Sequence, residues 1–166
     1  MMQTIADLRQ RFAQQGTVEW IGIAREPHRD IEVVEFVEVE MKTGIVGEHH
    51  ANRGNSKRQV TLIQAEHLEA VGSMLGGEPV SPESVRRNIV VRGINLLALK
   101  DAEFQIGEVT LKGSGPCVPC SRMEWNLGQG GYSAMRGHGG INTIVVSPGV
   151  VRVGDLVRPL TKTSAS

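Results

Sequence analysis

The only two cysteines of the chain, Cys117 and Cys120, form a C-x-x-C pair within LKGSGPCVPCSRMEWNLGQGGYSAMRGHGG, residues 111–140. Such a pair supports three chemistries: a redox dithiol, half of a metal site, or one working thiol beside a bystander. A thioredoxin-like dithiol opens a helix inside a βαβ unit, whereas this pair follows KGSGP after an expected hairpin. Structural zinc takes four ligands, and His49 and His50, as neighbours on an extended chain, point to opposite faces. Thiols that merely fill a core sit among apolar residues. Here the flanks are Gly, Ser, Pro and Arg, so neither cysteine is expected to be a core filler. The working thiolate is the reading the segment favours. Thiolates form where cations are close, and Arg122, Arg136 and His138 could supply that field. Of the two, Cys120 is better placed, because SRMEWNLG reads as a helical turn whose first amides favour a negative sulfur. A soft thiolate also suits thiophilic metals and persulfide chemistry.

Two cationic stretches lie upstream. RRNIVVRGIN carries Arg86, Arg87, Asn88, Arg92 and Asn95. Any one of these arginines alone reads as part of a solvated edge. SKRQ places Lys57, Arg58 and Gln59 beside a long polar segment, KTGIVGEHHANRGNSKRQ, with no periodicity. Lysine, arginine and backbone amides together are what a phosphate or pterin needs. His67, within a helical pattern and near its apolar face, reads as structural.

The elements that must position these groups are mostly strands. TVEWIGIA and IEVVEFVEVEM alternate β-branched residues with glutamates, with a slip at Val33-Val34 that predicts a bulge. RQVTLI, NIVVRG, EFQIG, EVTLKG, INTIVV and VVRVGDLVRPL continue the strand texture between glycine turns. A helix is predicted over 4–15, capped by Thr4 and carrying Ile5, Leu8 and Phe12 on one face. AEHLEAVGSMLGG is a second helix ending at Gly76-Gly77, and SPESVRR a short third with Pro82 at its first position. No strand, Gly-rich turn and crossover helix follow one another as a dinucleotide fold requires. The pattern predicts a β-barrel or sandwich with a few helices.

At 166 residues the chain is expected to form one domain. A formal net charge of zero provides no global field for nucleic acid or an anionic membrane, so any anion site is local. Aromatics make up only 4%, too few for a base-stacking platform. No apolar run approaches the roughly 18 residues of a membrane helix. The N-terminus lacks the apolar core of a secretory signal, so a cytoplasmic protein with reduced thiols is expected.

In order, GIVGEHHANRGNSKRQVTLIQAEHLEAV, RRNIVVRGINLLAL, FQIGEVTLKGSGPCVPCSRME and VRVGDLV resemble the MOSC domain, the C-terminal domain of molybdenum cofactor sulfurases. The resemblance spans about residues 17–160 and is most specific at GPCVPCSRM. Many relatives carry aspartate where Glu48 stands. The resemblance implies a mainly β fold, a MOSC-type β-barrel with a few short helices, in agreement with the strand count. It divides the chain into an N-terminal helix (1–16), the MOSC domain (17–160) and a disordered tail (161–166). It implies the molybdenum cofactor (molybdopterin) as ligand, and a cysteine that ligates molybdenum or carries sulfur as a persulfide. That role falls on Cys120. The RxN pattern implies that Arg86 and Asn88 face the cofactor, and position makes Lys57 and Arg58 phosphate contacts. Cys117, Arg122, Arg136 and His138 complete the expected cofactor-binding set, in a cleft between the barrel and the segment 128–140.

The expected function is molybdenum-dependent reduction of N-hydroxylated compounds. A chain of this length is expected to stand alone, without a desulfurase domain or an iron–sulfur module. Electrons or sulfur would then come from a separate electron-transfer protein or pyridoxal-phosphate desulfurase, and neither nucleic acid nor membrane is an expected partner. Two alternatives stand beside it: a persulfide sulfur carrier for cofactor sulfuration, and a non-catalytic β-barrel binding module.

Overall fold

Residues 2–49 and 56–161 are described by a computed structural model. The strands are β1 (Gly16–Ile23), β2 (Glu32–Val34), β3 (Phe36–Glu40), β4 (Gly44–Ile45), β5 (Val60–Gln64), β6 (Ile89–Arg92), β7 (Glu103–Ile106), β8 (Val109–Pro116), β9 (Ile141–Ser147), β10 (Gly149–Arg152) and β11 (Leu156–Pro159). Between them lie α1 (Ile5–Leu8), α2 (Ala65–Met74), α3 (Pro82–Val85), α4 (Ser121–Leu127) and α5 (Gly131–Met135), with a 3₁₀ turn at Leu96–Leu99. The main sheet runs β11-β7-β8-β9-β5-β6-β1-β2, and β1 also pairs with β11. That last pairing closes seven strands into a barrel, with β2 hanging on the outside of β1 and a small β10-β3-β4 sheet beside it. Closure removes the unpaired edges that an open sheet would expose. Every pairing is antiparallel except β5 with β6, where Leu62 lies opposite Ile89. That parallel pair is joined by a crossover containing α2 and α3, as parallel neighbours require.

The alternation of side chains explains two cores. Ile21, Leu62, Ile89, Val91, Phe104, Leu111 and Ile141 fill the barrel. Ile63 and Val90, of opposite parity on β5 and β6, face out and are covered by Leu68, Val71, Val85, Met123, Ala134 and Met135 of the helices. Each fully buried side chain of this size contributes roughly 1.5–3 kcal/mol. The helices are therefore clamped to one side of the barrel, over the parallel strand pair.

Three expectations are corrected. The helix predicted over 4–15 is one short turn, α1. Thr4 and Asp7 form its capping box, but Ile5 and Leu8 are exposed. With no surface to pack on, so short a helix does not propagate. The run 31–41 does not bulge at Val33-Val34. It breaks at Glu35, sending β2 to the barrel and β3 to the second sheet. The glycine-rich 128–140 segment, for which no helix was predicted, contains α5 and buries Ala134 and Met135 in the outer core.

Candidate functional site

Strands β8 and β9 pair down to Pro116 opposite Ile141, and the Cys117 amide adds one more rung by donating to the Gly140 carbonyl at 2.8 Å. The cysteines, α4 and α5 thus form an insert, residues 117–140, across the end of a two-stranded ribbon. Gly140 has φ +83° and a Cβ there would lie 1.8 Å from the Leu62 carbonyl oxygen. A Cβ on Gly139 would lie 2.1 Å from the Cys117 carbonyl oxygen. Only glycine permits backbones to approach this closely. The insert is pressed onto β5, so the cysteine loop has a fixed base.

The two thiols are free and differ in access: Cys117 is only 2% exposed, while Cys120 is exposed and precedes α4 as its N-cap. The expectation that neither cysteine fills a core is therefore corrected for Cys117. The last rung of the ladder draws it inside, under Gly139 and Gly140.

Arg87 is the buried cation behind the cysteine loop, bonded to Gly139, and it was absent from the expected set. Its side chain is 5% exposed. Nε donates to the Gly139 carbonyl at 2.9 Å and Nη1 to the Val85 carbonyl at 2.8 Å, while buried Nη2 has no partner among the described residues. Burial pushes its pKa below the ordinary arginine value; negative charge on Cys117, and less on Cys120, opposes the shift, and Arg58 adds to it. A guanidinium remains protonated under such a shift. Arg58 is half-buried, and its Nε is likewise buried without a partner. Arg87 and Arg58 are thus neighbouring cations, each with an unanswered N–H among the described residues.

The other expected residues are distributed around this centre. Arg86 takes φ +58° at the end of α3 and donates to the Arg29 carbonyl at 2.8 Å. Arg122 reaches His28, on the loop between β1 and β2. Arg86 and Arg122 therefore pin that loop to the helical side of the barrel. A shallow hollow of about 360 Å³ next to Cys120 is lined by Ser121, Arg122, Trp125 and Asn126. A second, of about 410 Å³, is lined by Arg25, Glu26, Arg29, Asp30 and Glu32. Arg136 is exposed at the end of α5. His138 donates through Nδ1 to the Ala134 carbonyl (3.0 Å) and packs edge-on against His67, ring centres 4.9 Å apart. Lys57 is exposed, and its carbonyl accepts from Ser114. Arg92 is held by Glu19 and Glu69 on the surface, the solvated edge expected for a single arginine.

Asn88 is buried, and its polar atoms are committed within the protein. Oδ1 accepts from the Thr61 amide and hydroxyl at 3.1 and 3.0 Å; Nδ2 donates to Gly22 O at 3.3 Å and Glu48 Oε2 at 3.1 Å. Glu48, 4% exposed, also accepts from the Ala24 amide at 2.8 Å and lies 2.8 Å from His49 Nδ1 through its other oxygen. Asn88 and Glu48 thus tie β1, β5 and β6 together below the thiol loop. His50, weighed as a zinc ligand, lies outside the described residues. Among the described residues no group of three or more His, Cys, Asp or Glu could hold a metal ion. No described helix is long and apolar enough to cross a membrane.

Fold and site together define a closed β-barrel protein with an accessible cysteine on a helical insert and unanswered cations beneath it. The MOSC domain matches residues 48–158. The chain belongs to the MOSC domain family. No curated protein matches it. Among solved structures, the YuaD protein of Bacillus subtilis superposes with a TM-score of 0.77 at 20% identity, covering 90% of this chain and 98% of that one. YiiM of Geobacillus stearothermophilus gives 0.69 at 16% identity, covering 90% and 77% of the two chains. YiiM of Escherichia coli gives 0.69 at 16%, covering 91% and 72%. At these identities the likeness establishes the fold.

The family name ties this domain to the molybdenum cofactor, a phosphate-bearing pterin that holds a thiophilic metal. The residues present fit such a group. The exposed sulfur of Cys120 is a donor for the metal, and the unpartnered N–H groups of Arg87 and Arg58 are donors for an anion.

Proposed function

We propose that this MOSC protein binds the molybdenum cofactor through the Cys120 thiolate and takes part in molybdenum-dependent reduction of N-hydroxylated compounds, with electrons from a separate donor. The observation that carries the reading is Arg87, a buried guanidinium whose unpaired Nη2 lies against Gly139, the residue that also packs on the Cys117 carbonyl. Buried charges are normally paired, because an unpaired one loses its hydration without compensation. Here no carboxylate answers Arg87 or Arg58 among the described hydrogen bonds and ion pairs, so an anionic ligand is the missing partner.

When bound, the cofactor supplies two-electron metal chemistry that no side chain can perform. The chain's own residues bind and orient it. Arg87, fixed by the Gly139 and Val85 carbonyls, would hold its charge and its unpaired Nη2 in place for an anion beside the cysteine loop. Arg58 adds a second positive charge for a phosphate. Cys120 offers its sulfur at the start of α4, while Glu124 braces that helix by accepting from the Gly130 and Tyr132 amides at 2.9 and 3.0 Å. Arg122 and Trp125 border the hollow beside Cys120, where a substrate would lie.

Protein produced in a host that makes the cofactor should carry molybdenum and pterin by elemental analysis and fluorescence. Cys120→Ser should lose the metal; unchanged molybdenum content defeats the assignment. The exposure of Cys120 also favours the second reading, a persulfide carrier. Incubation with a desulfurase and cysteine should then add about 32 Da, one sulfur atom, to wild type and nothing to Cys120→Ser.

A further inference from the structure

The function proposed above uses Cys120 and leaves Cys117 without a role. Three features of the pair bear on that. The thiols are inverted in access relative to an exposed-first dithiol: the second cysteine is open to solvent and the first is 2% exposed. A buried cation backs the loop: Arg87 donates to the Gly139 carbonyl, and Gly139 packs against the Cys117 carbonyl. The two residues between them are in neither strand nor helix, and no backbone hydrogen bond ties Val118 or Pro119 among the described residues. Val118 is 72% exposed, so turning this link costs little burial. A disulfide requires Cα atoms within about 4.4–6.8 Å, a span that three peptide units cover easily when bent.

We propose that Cys117 is the resolving thiol of Cys120, closing a reversible Cys117–Cys120 disulfide when a peroxide oxidises the exposed sulfur. The inference does not depend on the cofactor reading. In the first step the Cys120 thiolate attacks hydrogen peroxide. The O–O bond breaks, one oxygen stays on sulfur as a sulfenic acid, and the other leaves as hydroxide and takes up a proton. In the second, the Cys117 sulfur attacks Cys120 Sγ. The S–S bond forms, the S–O bond breaks, and the hydroxide leaves as water with the proton of Cys117. Two thiols lose two electrons and two protons, and one peroxide becomes two waters. A dithiol reductant reverses the bond by exchange.

The arrangement has two consequences. The closed form has no thiolate at position 120, so a ligand held by that sulfur is excluded until the pair is reduced. Rapid resolution also keeps Cys120 from advancing to the irreversible sulfinic and sulfonic acids. Burial suits a resolving thiol, because small oxidants in solution reach Cys120 first and Cys117 is spent only on its neighbour.

The test uses metal-free protein treated with hydrogen peroxide and read by intact mass and peptide mapping without reductant. Wild type should lose about 2 Da, the two hydrogens of a disulfide, link Cys117 to Cys120 in one peptide, and return to its starting mass with dithiothreitol. Cys117→Ser should instead hold a dimedone-reactive sulfenic acid and reach the sulfinic state at Cys120 at least ten times faster. Cys120→Ser should leave Cys117 unoxidised over the same interval. The proposal is overturned if wild type and Cys117→Ser over-oxidise at equal rates with no linked peptide. It is equally overturned if Cys117 oxidises as fast in Cys120→Ser as Cys120 does in wild type. The molybdenum content of Cys117→Ser, measured separately, reports on the cofactor reading and not on this one.

Discussion

Replacing Arg87 with methionine separates a structural arginine from one that waits for an anion. In the unliganded protein the terms oppose one another. Two charge-assisted bonds, to Gly139 O at 2.9 Å and Val85 O at 2.8 Å, contribute roughly 1.5–3 kcal/mol each. Against them stands the cost of burying a charge whose Nη2 has no partner, several kcal/mol for an ion withdrawn from water. The like charge of Arg58 adds to that cost. Arg87→Met keeps the length of the side chain and removes both sides of the balance, so the stability of the empty protein should change by less than about 2 kcal/mol. An anion changes the comparison, because it repairs the unpaired donor in wild type alone. At one hundred times its Kd a ligand stabilises the folded state by about 2.7 kcal/mol. For a domain of this size each kcal/mol moves Tm by roughly 2–4 °C, so the expected shift is roughly 5–11 °C. The assay is thermal unfolding against increasing inorganic phosphate or pyrophosphate, with chloride holding ionic strength constant. Wild type should shift and Arg87→Met should not; Arg58→Met, which removes the second unpaired donor, should shift less than wild type. Equal shifts in wild type and Arg87→Met, or none in wild type at saturating anion, refute the reasoning.

Two further outcomes follow from the buried polar network and from the histidine pair. Glu48→Ala leaves the Ala24 amide and Asn88 Nδ2 without their acceptor and should cost about 3–5 kcal/mol in urea unfolding, with Glu48→Asp between it and wild type; a loss under 1 kcal/mol would mean water replaces the carboxylate. His67 has its pKa lowered by burial first and then by the charge of His138, with Glu66 opposing. A lowered folded-state pKa means that stability is intact above the ordinary histidine value of about 6.5 and is lost as pH falls through the folded value. His67→Leu should therefore flatten the decline in unfolding free energy as pH falls below about 6.5, and an unchanged slope would assign that decline to other groups.

β7 and β9 were legible because half-buried strands write their alternation into sequence, as in EFQI and INTIVV, whereas β5 and β6, buried on both faces, were legible as the short β-branched runs VTLI and NIVV. The break at Glu35 was not, because glutamates alternate with valines on both sides and only tertiary packing separates the halves. α5 was hidden for the opposite reason. Glycines at 128, 130, 131 and 137 read as a flexible stretch, yet the Glu124 carboxylate caps the Gly130 and Tyr132 amides from another helix. At the site, Cys120 was legible from its polar flanks and its place before a helical turn. Cys117, three residues away with the same flanks, was not, since its burial comes from the final rung that its amide makes with Gly140.

Arg87 is the most instructive case. It lies two residues before β6, so the alternation of that strand does not fix its side chain, which bonds to the insert and to α3. Two things hid it. Arg86, adjacent and equally basic, takes a left-handed turn that no local residue announces, and Asn88 completes a pattern that draws attention to its neighbours instead. Charge in a sequence shows that a cation exists, but whether it is solvated, paired or left waiting depends on which carbonyls and carboxylates the fold brings within about 3 Å, a distance scale set by hydrogen bonding. For Arg92 the fold brings two glutamates; for Arg87 it brings two carbonyls and stops one donor short. That shortfall, repeated at Arg58 and set near an accessible sulfur, is what the proposed anionic ligand would answer.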